Sequence, residues 1–265
     1  MRAWMGLALG IVSACARDPL AAGDTDADTD VALAWGDGPR AVSGHAFFFD
    51  MPTFGQVEEQ DDVEGGLVYV LEAPEIQAPV SAADGYAFRL EGLPEGADVT
   101  VALTQPDHFP SLTATFHLDG ADVADVTFQS VSWTLADLLA GVVGQDAHDT
   151  TRCQMVTTVT APNPDGVYAP GEPDATVTID PPIHPDLGPV YFNTMVLPDR
   201  RLTATSTDGG VITAGVGPGD YVWTGHKDGL TFSTLHMKCV AGWLTNASPP
   251  WGMNVTSTTG APAAR

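Results

Sequence analysis

The side chains able to do chemistry are few and dispersed. His45, His108, His117, His148, His184, His226 and His236 stand apart, with no His-x-His or His-Glu-x-x-His spacing to put two imidazoles on one metal. No Gly-x-Ser-x-Gly turn exposes a serine, no glycine loop is built for phosphate, and no Ser-x-x-Lys occurs; the only lysines are Lys227 and Lys238. A triad drawn from distant segments is defined by geometry and not by order, so the pattern assigns no catalytic residue. The expectation is a non-enzyme.

Carboxylates are plentiful. Glu58, Glu59, Asp61, Asp62 and Glu64 crowd a loop between the first two expected strands. Such a cluster at a sandwich edge could hold calcium, the one cofactor the sequence suggests. The competing reading, which we prefer, is a solvated loop that keeps an edge strand from pairing. Asp24-Thr25-Asp26-Ala27-Asp28-Thr29-Asp30 alternates as EF-hand loops begin. Counting from Asp24 puts Thr29 and Trp35 where Gly and Glu are needed, and counting from Asp26 puts Val31 and Asp37 there. Both registers fail, so this run reads as a self-repelling, solvated spacer. Trp133, Trp223, Trp243, Trp251 and Tyr221 could include a platform for stacking sugars, although core or inter-domain packing is the simpler reading.

Two of the three cysteines, Cys153 and Cys239, have no Cys-x-x-Cys partner, and histidine or acid at zinc-ligand spacing is not found around both. In an exported chain they are expected to form a disulfide. The third, Cys15, follows Arg2, the apolar run Ala3–Val12 and the small residues Ser13 and Ala14. The apolar run is far short of the roughly 20 residues a membrane-spanning helix needs, so it reads as a secretory signal. Val12-Ser13-Ala14-Cys15 resembles the lipobox of bacterial lipoproteins. That resemblance implies cleavage before Cys15, lipid on its sulfur, and a soluble body held at the membrane by its acyl chains. Ala16 after the cysteine implies the outer membrane under the sorting rule best known for that family.

The chain carries 34 acidic and 10 basic residues, and loss of Arg2 with the signal would leave a net charge of −25. Such acidity excludes a nucleic-acid-binding role and electrostatic docking to anionic lipid.

Forty-nine glycines and prolines punctuate the body, and between them lie short runs rich in Val, Thr, Leu and aromatics. Val99–Leu103 and Ala175–Ile179 alternate, while Leu112, Ala114, Phe116 and Leu118 share one face of a third run. Period-two patterning with frequent turns predicts an all-β chain of antiparallel sandwiches. One segment has helical spacing: Thr134 as cap, then Leu135, Leu138, Leu139, Val142 and Val143, with Gly144 as stop. The stretches on either side share an order of strand, Asp-Gly turn (Asp84-Gly85, Asp208-Gly209), strand, glycine turn, strand. The expected organisation is a signal (1–14), lipidated cysteine and spacer (15–39), sandwich domain (40–133), helical connector (134–148), disulfide-stapled sandwich domain (149–246) and tail (247–265).

Ala41-Val42-Ser43-Gly44, Gly65-Gly66-Leu67-Val68-Tyr69-Val70, Asp84-Gly85-Tyr86-Ala87-Phe88 and Leu93-Pro94-Glu95-Gly96 resemble the carboxypeptidase regulatory-like domains. These are transthyretin-like, seven-stranded sandwiches. Pro218-Gly219-Asp220-Tyr221 repeats the last element in the second stretch. The resemblance implies a fold and an accessory or spacer role, with no catalytic residues to carry over. The expected function is therefore a non-enzymatic cell-envelope lipoprotein with a structural or accessory binding role, its partners the membrane through lipid and an envelope glycan or protein. A carbohydrate- or peptide-binding envelope protein is the alternative, and a hydrolase with a dispersed site the third.

Overall fold

In the computed structural model, which describes residues 34–49, 63, 65–162, 169–247 and 249–258, alternating patterns become strands. Cys15, the acidic spacer up to residue 33 and the calcium candidates Glu58, Glu59, Asp61, Asp62 and Glu64 lie outside the described residues.

Seven strands precede the helix: β1 (Arg40–Phe49), β2 (Leu67–Val70), β3 (Gln77–Pro79), β4 (Ala87–Leu93), β5 (Asp98–Thr104), β6 (Ser111–His117) and β7 (Val123–Val131). They form two layers. β1 lies between β4 and β7 in one; β3, β2, β5 and β6 follow one another in the other. Val42, Val68, Leu90, Val101 and Phe128 fill the space between them. β1 and β7 run parallel and unusually close at Gly44, where a Cβ would sit 1.8 Å from the Val126 carbonyl oxygen. Only glycine fits there, for want of space and not for backbone freedom.

After helix α1 (Trp133–Val142) come β8 (Cys153–Thr160), β9 (Thr176–Asp180), β10 (Val190–Phe192), β11 (Pro198–Asp199), β12 (Gly210–Val216), β13 (Gly219–His226), β14 (Leu230–Phe232), β15 (Leu235–Cys239), β16 (Leu244–Ala247) and β17 (Met253–Thr258). Their pairing repeats the first plan. β8 pairs antiparallel with β12 and parallel with β16 and β17, as β1 does with β4 and β7. β9, β13 and β15 form an antiparallel row like β2, β5 and β6. A second cluster, including Met155, Val177, Trp223 and Met237, fills this half. The segment from residue 247, expected as a tail, instead supplies β17: Met253 is fully buried, and the β-branched run after it pairs with β14.

The 134–148 connector does not separate two independent sheets. β16 pairs parallel with β6 through Leu244↔Ser111 and Thr245↔Leu112, so one eleven-stranded sheet carries strands from both halves. This explains why β6 is buried almost throughout, although its sequence alternates as if one face met water. Its threonines are satisfied internally: Thr113 Oγ1 accepts the Val101 N–H and Thr115 Oγ1 meets Thr100 Oγ1.

The cap of helix α1 lies two residues before the expected one. Ser132 is extended and its hydroxyl accepts the Leu135 N–H, which makes it the N-cap in place of Thr134. The buried stripe shifts accordingly: Leu135, Ala136, Ala140 and Val143 face inward, while Leu138 and Val142 stay 46% and 41% exposed. Gly144 ends the helix with φ +71°. The inward face packs beside Phe109, Val131 and Leu244, and its end beside Val190, Phe192 and Ile212, so the helix spans both halves.

Candidate functional site

The residues that could do chemistry are held in separate places. His117 and Asp98 are cross-strand neighbours on β6 and β5, with Nδ1 2.8 Å from Oδ1. His148 Nε2 lies 3.1 Å from Asp137 Oδ1, and His184 sits beside Asp186 in one turn. His226 Nε2 meets Thr178 Oγ1 across β13 and β9, while the Nδ1 atoms of His45 and His108 meet the Gly85 and Pro106 carbonyls. The three His–Asp pairs are exposed, and the polar partner of each of these six histidines is local or one strand away, while His236 lies on β15 opposite Val222. Among the described residues no three His, Cys, Asp or Glu side chains converge into a metal-binding group.

The five aromatics do not share a face. Trp223 is fully buried in the second core. Tyr221 donates its hydroxyl to the Gly217 carbonyl beside the disulfide, whose Cys239 lies under the same turn. Trp133 stacks on His148 at 4.6 Å and meets Phe109, tilted by 32°, at 4.7 Å. These ring contacts tie Trp133, which is half-buried, to the loop before β6 and to the segment after the helix.

Trp251 identifies the more informative site, the seam between the halves. Its Nε1–H donates to the Ala124 carbonyl at 2.7 Å, and its ring meets Phe116 edge-on at 5.5 Å. Beside it Thr127 Oγ1 donates to the Pro249 carbonyl and Asn246 Nδ2 to Gln129 Oε1. The Pro249-Pro250-Trp251 turn thus leaves the edge of β8, clasps β7 of the first half and returns as β17. The crevice it closes, lined by Thr113, Phe116, Val126, Asn246 and Trp251, is about 10 Å³, room for a single water. On the other side Lys238 Nζ donates to Glu72 Oε1 at 2.7 Å, and Glu72 Oε2 accepts the Thr100 N–H. Thr245 Oγ1 donates to the Lys238 carbonyl.

Cys153 and Cys239 form the expected disulfide, joining the start of β8 to the end of β15. Other ionisable groups of this half are shifted by hydrogen bonding in turns or by burial. Asp199 is held down to about 2 by its side-chain hydrogen bonds from Arg201 and by the Arg201 backbone N–H. Burial pushes the Asp208 carboxyl up, against a hydrogen bond from the Gly210 N–H. Burial likewise raises Tyr191, whose hydroxyl oxygen accepts the Val177 N–H at the outer edge of β9.

No family model and no curated protein matches the chain. Solved structures do. The Bacillus anthracis TIE protein is 12% identical over 78% of this chain, with a TM-score of 0.25; the chain spans about a third (32%) of that protein's length. The minor pilin GBS52 of Streptococcus agalactiae is 9% identical over 85% of this chain and all of its own, with a TM-score of 0.25. A candidate carbohydrate-binding protein of Bacteroides uniformis is 8% identical over 77% of this chain and 98% of its own, with a TM-score of 0.24.

Proposed function

We propose that the chain is a non-enzymatic lipoprotein of the bacterial cell envelope, anchored through Cys15, that displays two transthyretin-like repeats as one stiff accessory module. The observation that carries the reading is the seam. A parallel rung between β6 and β16, the Trp251 clasp and the Lys238–Glu72 pair hold the halves where a bare connector would leave them free to swing. The Val12-Ser13-Ala14-Cys15 lipobox and the acidic run after it supply an anchor and a spacer in this reading, and Ala16 after the cysteine supports the outer membrane as its site. In each half a first strand lies parallel to the closing strands, with an Asp-Gly turn before the strand that pairs antiparallel with it, β4 in one and β12 in the other. This shared plan supports duplicated domains of the carboxypeptidase regulatory-like kind. A glycan or protein of the envelope is the partner class such a module serves.

Metabolic labelling with a palmitate analogue, followed by fractionation, tests the anchor. Label on the parent chain and none on Cys15→Ser, with the variant released from the membrane, is the expected result. A parent that takes no label contradicts it.

A further inference from the structure

In each half the first and closing strands lie side by side and run the same way. β1 pairs with β7 from Val42↔Val123 to Phe49↔Val131. β8 pairs with β16 from Gln154 to Thr157 and with β17 at Val159 and Thr160. Tension between the ends of the chain draws β1 from its Arg40 end and β7 from its Val131 end, which lie at opposite ends of the pair. Force therefore runs along the strands and every rung is loaded together. An antiparallel closing pair pulled from neighbouring ends would open one rung at a time.

We infer that the protein is a tension-resisting tether: sheared β1–β7 rungs hold the first half, and the Cys153–Cys239 bond caps the length the second can release. Its place in the cell rests on the anchored-display reading above; its mechanics do not. Water reaches the β1–β7 rungs poorly, because Val42, Ala46, Val126 and Phe128 are buried along them. Gly44 permits the close approach at the Val126 carbonyl. In the second half, force arriving at Cys153 crosses the sulfur–sulfur bond to Cys239, so the 86-residue span between them cannot lengthen. The Pro249 and Trp251 clasp then hands part of the load directly to β7.

Single-molecule pulling on the chain from Ala16 to Arg265 tests this in two attachments. One holds both termini. The other holds the N-terminus and a non-cysteine chemical handle at Ala121, an exposed position just before β7, so that β7 peels from the Arg40 end of β1. End-to-end loading should break the first half at a clearly higher force than the peeling attachment. Without reductant, the second half should release only residues outside the 153–239 loop. Reductant should then add one step of about 310 Å, at about 3.6 Å for each of the 86 residues. Equal rupture forces in the two attachments, or release of the full length without reductant, would overturn the inference. Failed palmitate labelling would remove the anchor and leave these forces unchanged, so the two readings fail separately.

Discussion

The halves before and after helix α1 share one strand plan and close it differently. In the first, a single long strand, β7, runs beside β1 to its end, and glycine at position 44 lets the two backbones touch. In the second, the corresponding edge of β8 is shared by β16 and β17, separated by the Pro249-Pro250-Trp251 turn that reaches across to the first half. A broken closing strand makes fewer rungs, and the second half adds the covalent bond that the first lacks. Continuity of backbone pairing and a disulfide thus appear as alternative closures of the same sandwich. The break is also what releases a segment to form the seam.

If the disulfide replaces the missing rungs, its loss should be the largest effect. Cys153→Ser with Cys239→Ser should cost roughly 4–5 kcal/mol on the chain-entropy account of a loop this long. A urea titration monitored by tryptophan emission measures it. The matching insult to the first half is Gly44→Ala, which forces β1 off the Val126 carbonyl. About 1–3 kcal/mol is expected from the overpacking, read in the same titration; a neutral result would mean β1 and β7 are not held that closely. Ser132→Ala removes the helix cap and should cost about 1 kcal/mol, with Thr134→Ala near neutral, which separates the observed cap from the expected one. Across the seam, a double-mutant cycle on Lys238 and Glu72 should give a coupling of at most about 1 kcal/mol, since both side chains keep some water contact.

The smallest effect concerns the two Asp-Gly turns. Burial raises the Asp208 carboxyl, so the folded chain keeps that proton to higher pH than the unfolded chain does. Its contribution to stability is full below the unfolded carboxylate range and is lost as pH rises through the folded value. Asp208→Asn should therefore raise the melting temperature at neutral pH and flatten its acid-side dependence. Asp84→Asn, at the exposed turn of the first half, should leave the melting temperature at neutral pH unchanged.

Much of the fold was legible in local pattern. Alternation located β5, β6 and β9, Gly144 located the end of the helix, and the cysteine pair matched the disulfide, because each follows from side-chain period, backbone conformation or redox setting. The seam was not legible. Residues 247–265 read only as a tail, since nothing in a proline pair and a tryptophan says which distant carbonyls they will meet. β6 read as half-exposed because threonine suits a wet face as well as a buried, hydrogen-bonded one. Gly44 read only as part of the Ala41-Val42-Ser43-Gly44 resemblance, yet it is needed for space within a strand. For the five aromatics the sequence left a sugar platform open beside the preferred packing reading, since pattern alone does not tell that Trp223 is buried in the core and that Trp133 stacks on His148.

The central claim is that the two halves form one stiff unit through β6 and β16. Native-state hydrogen exchange at Ser111, Leu112, Leu244 and Thr245 tests it directly, because these amides border the joining rungs. Protection there comparable to that of Val101 and Met155, inside the two cores, is the predicted result. Rapid exchange at the four seam positions, with both cores still protected, would mean two independent sandwiches on a string and would contradict the account.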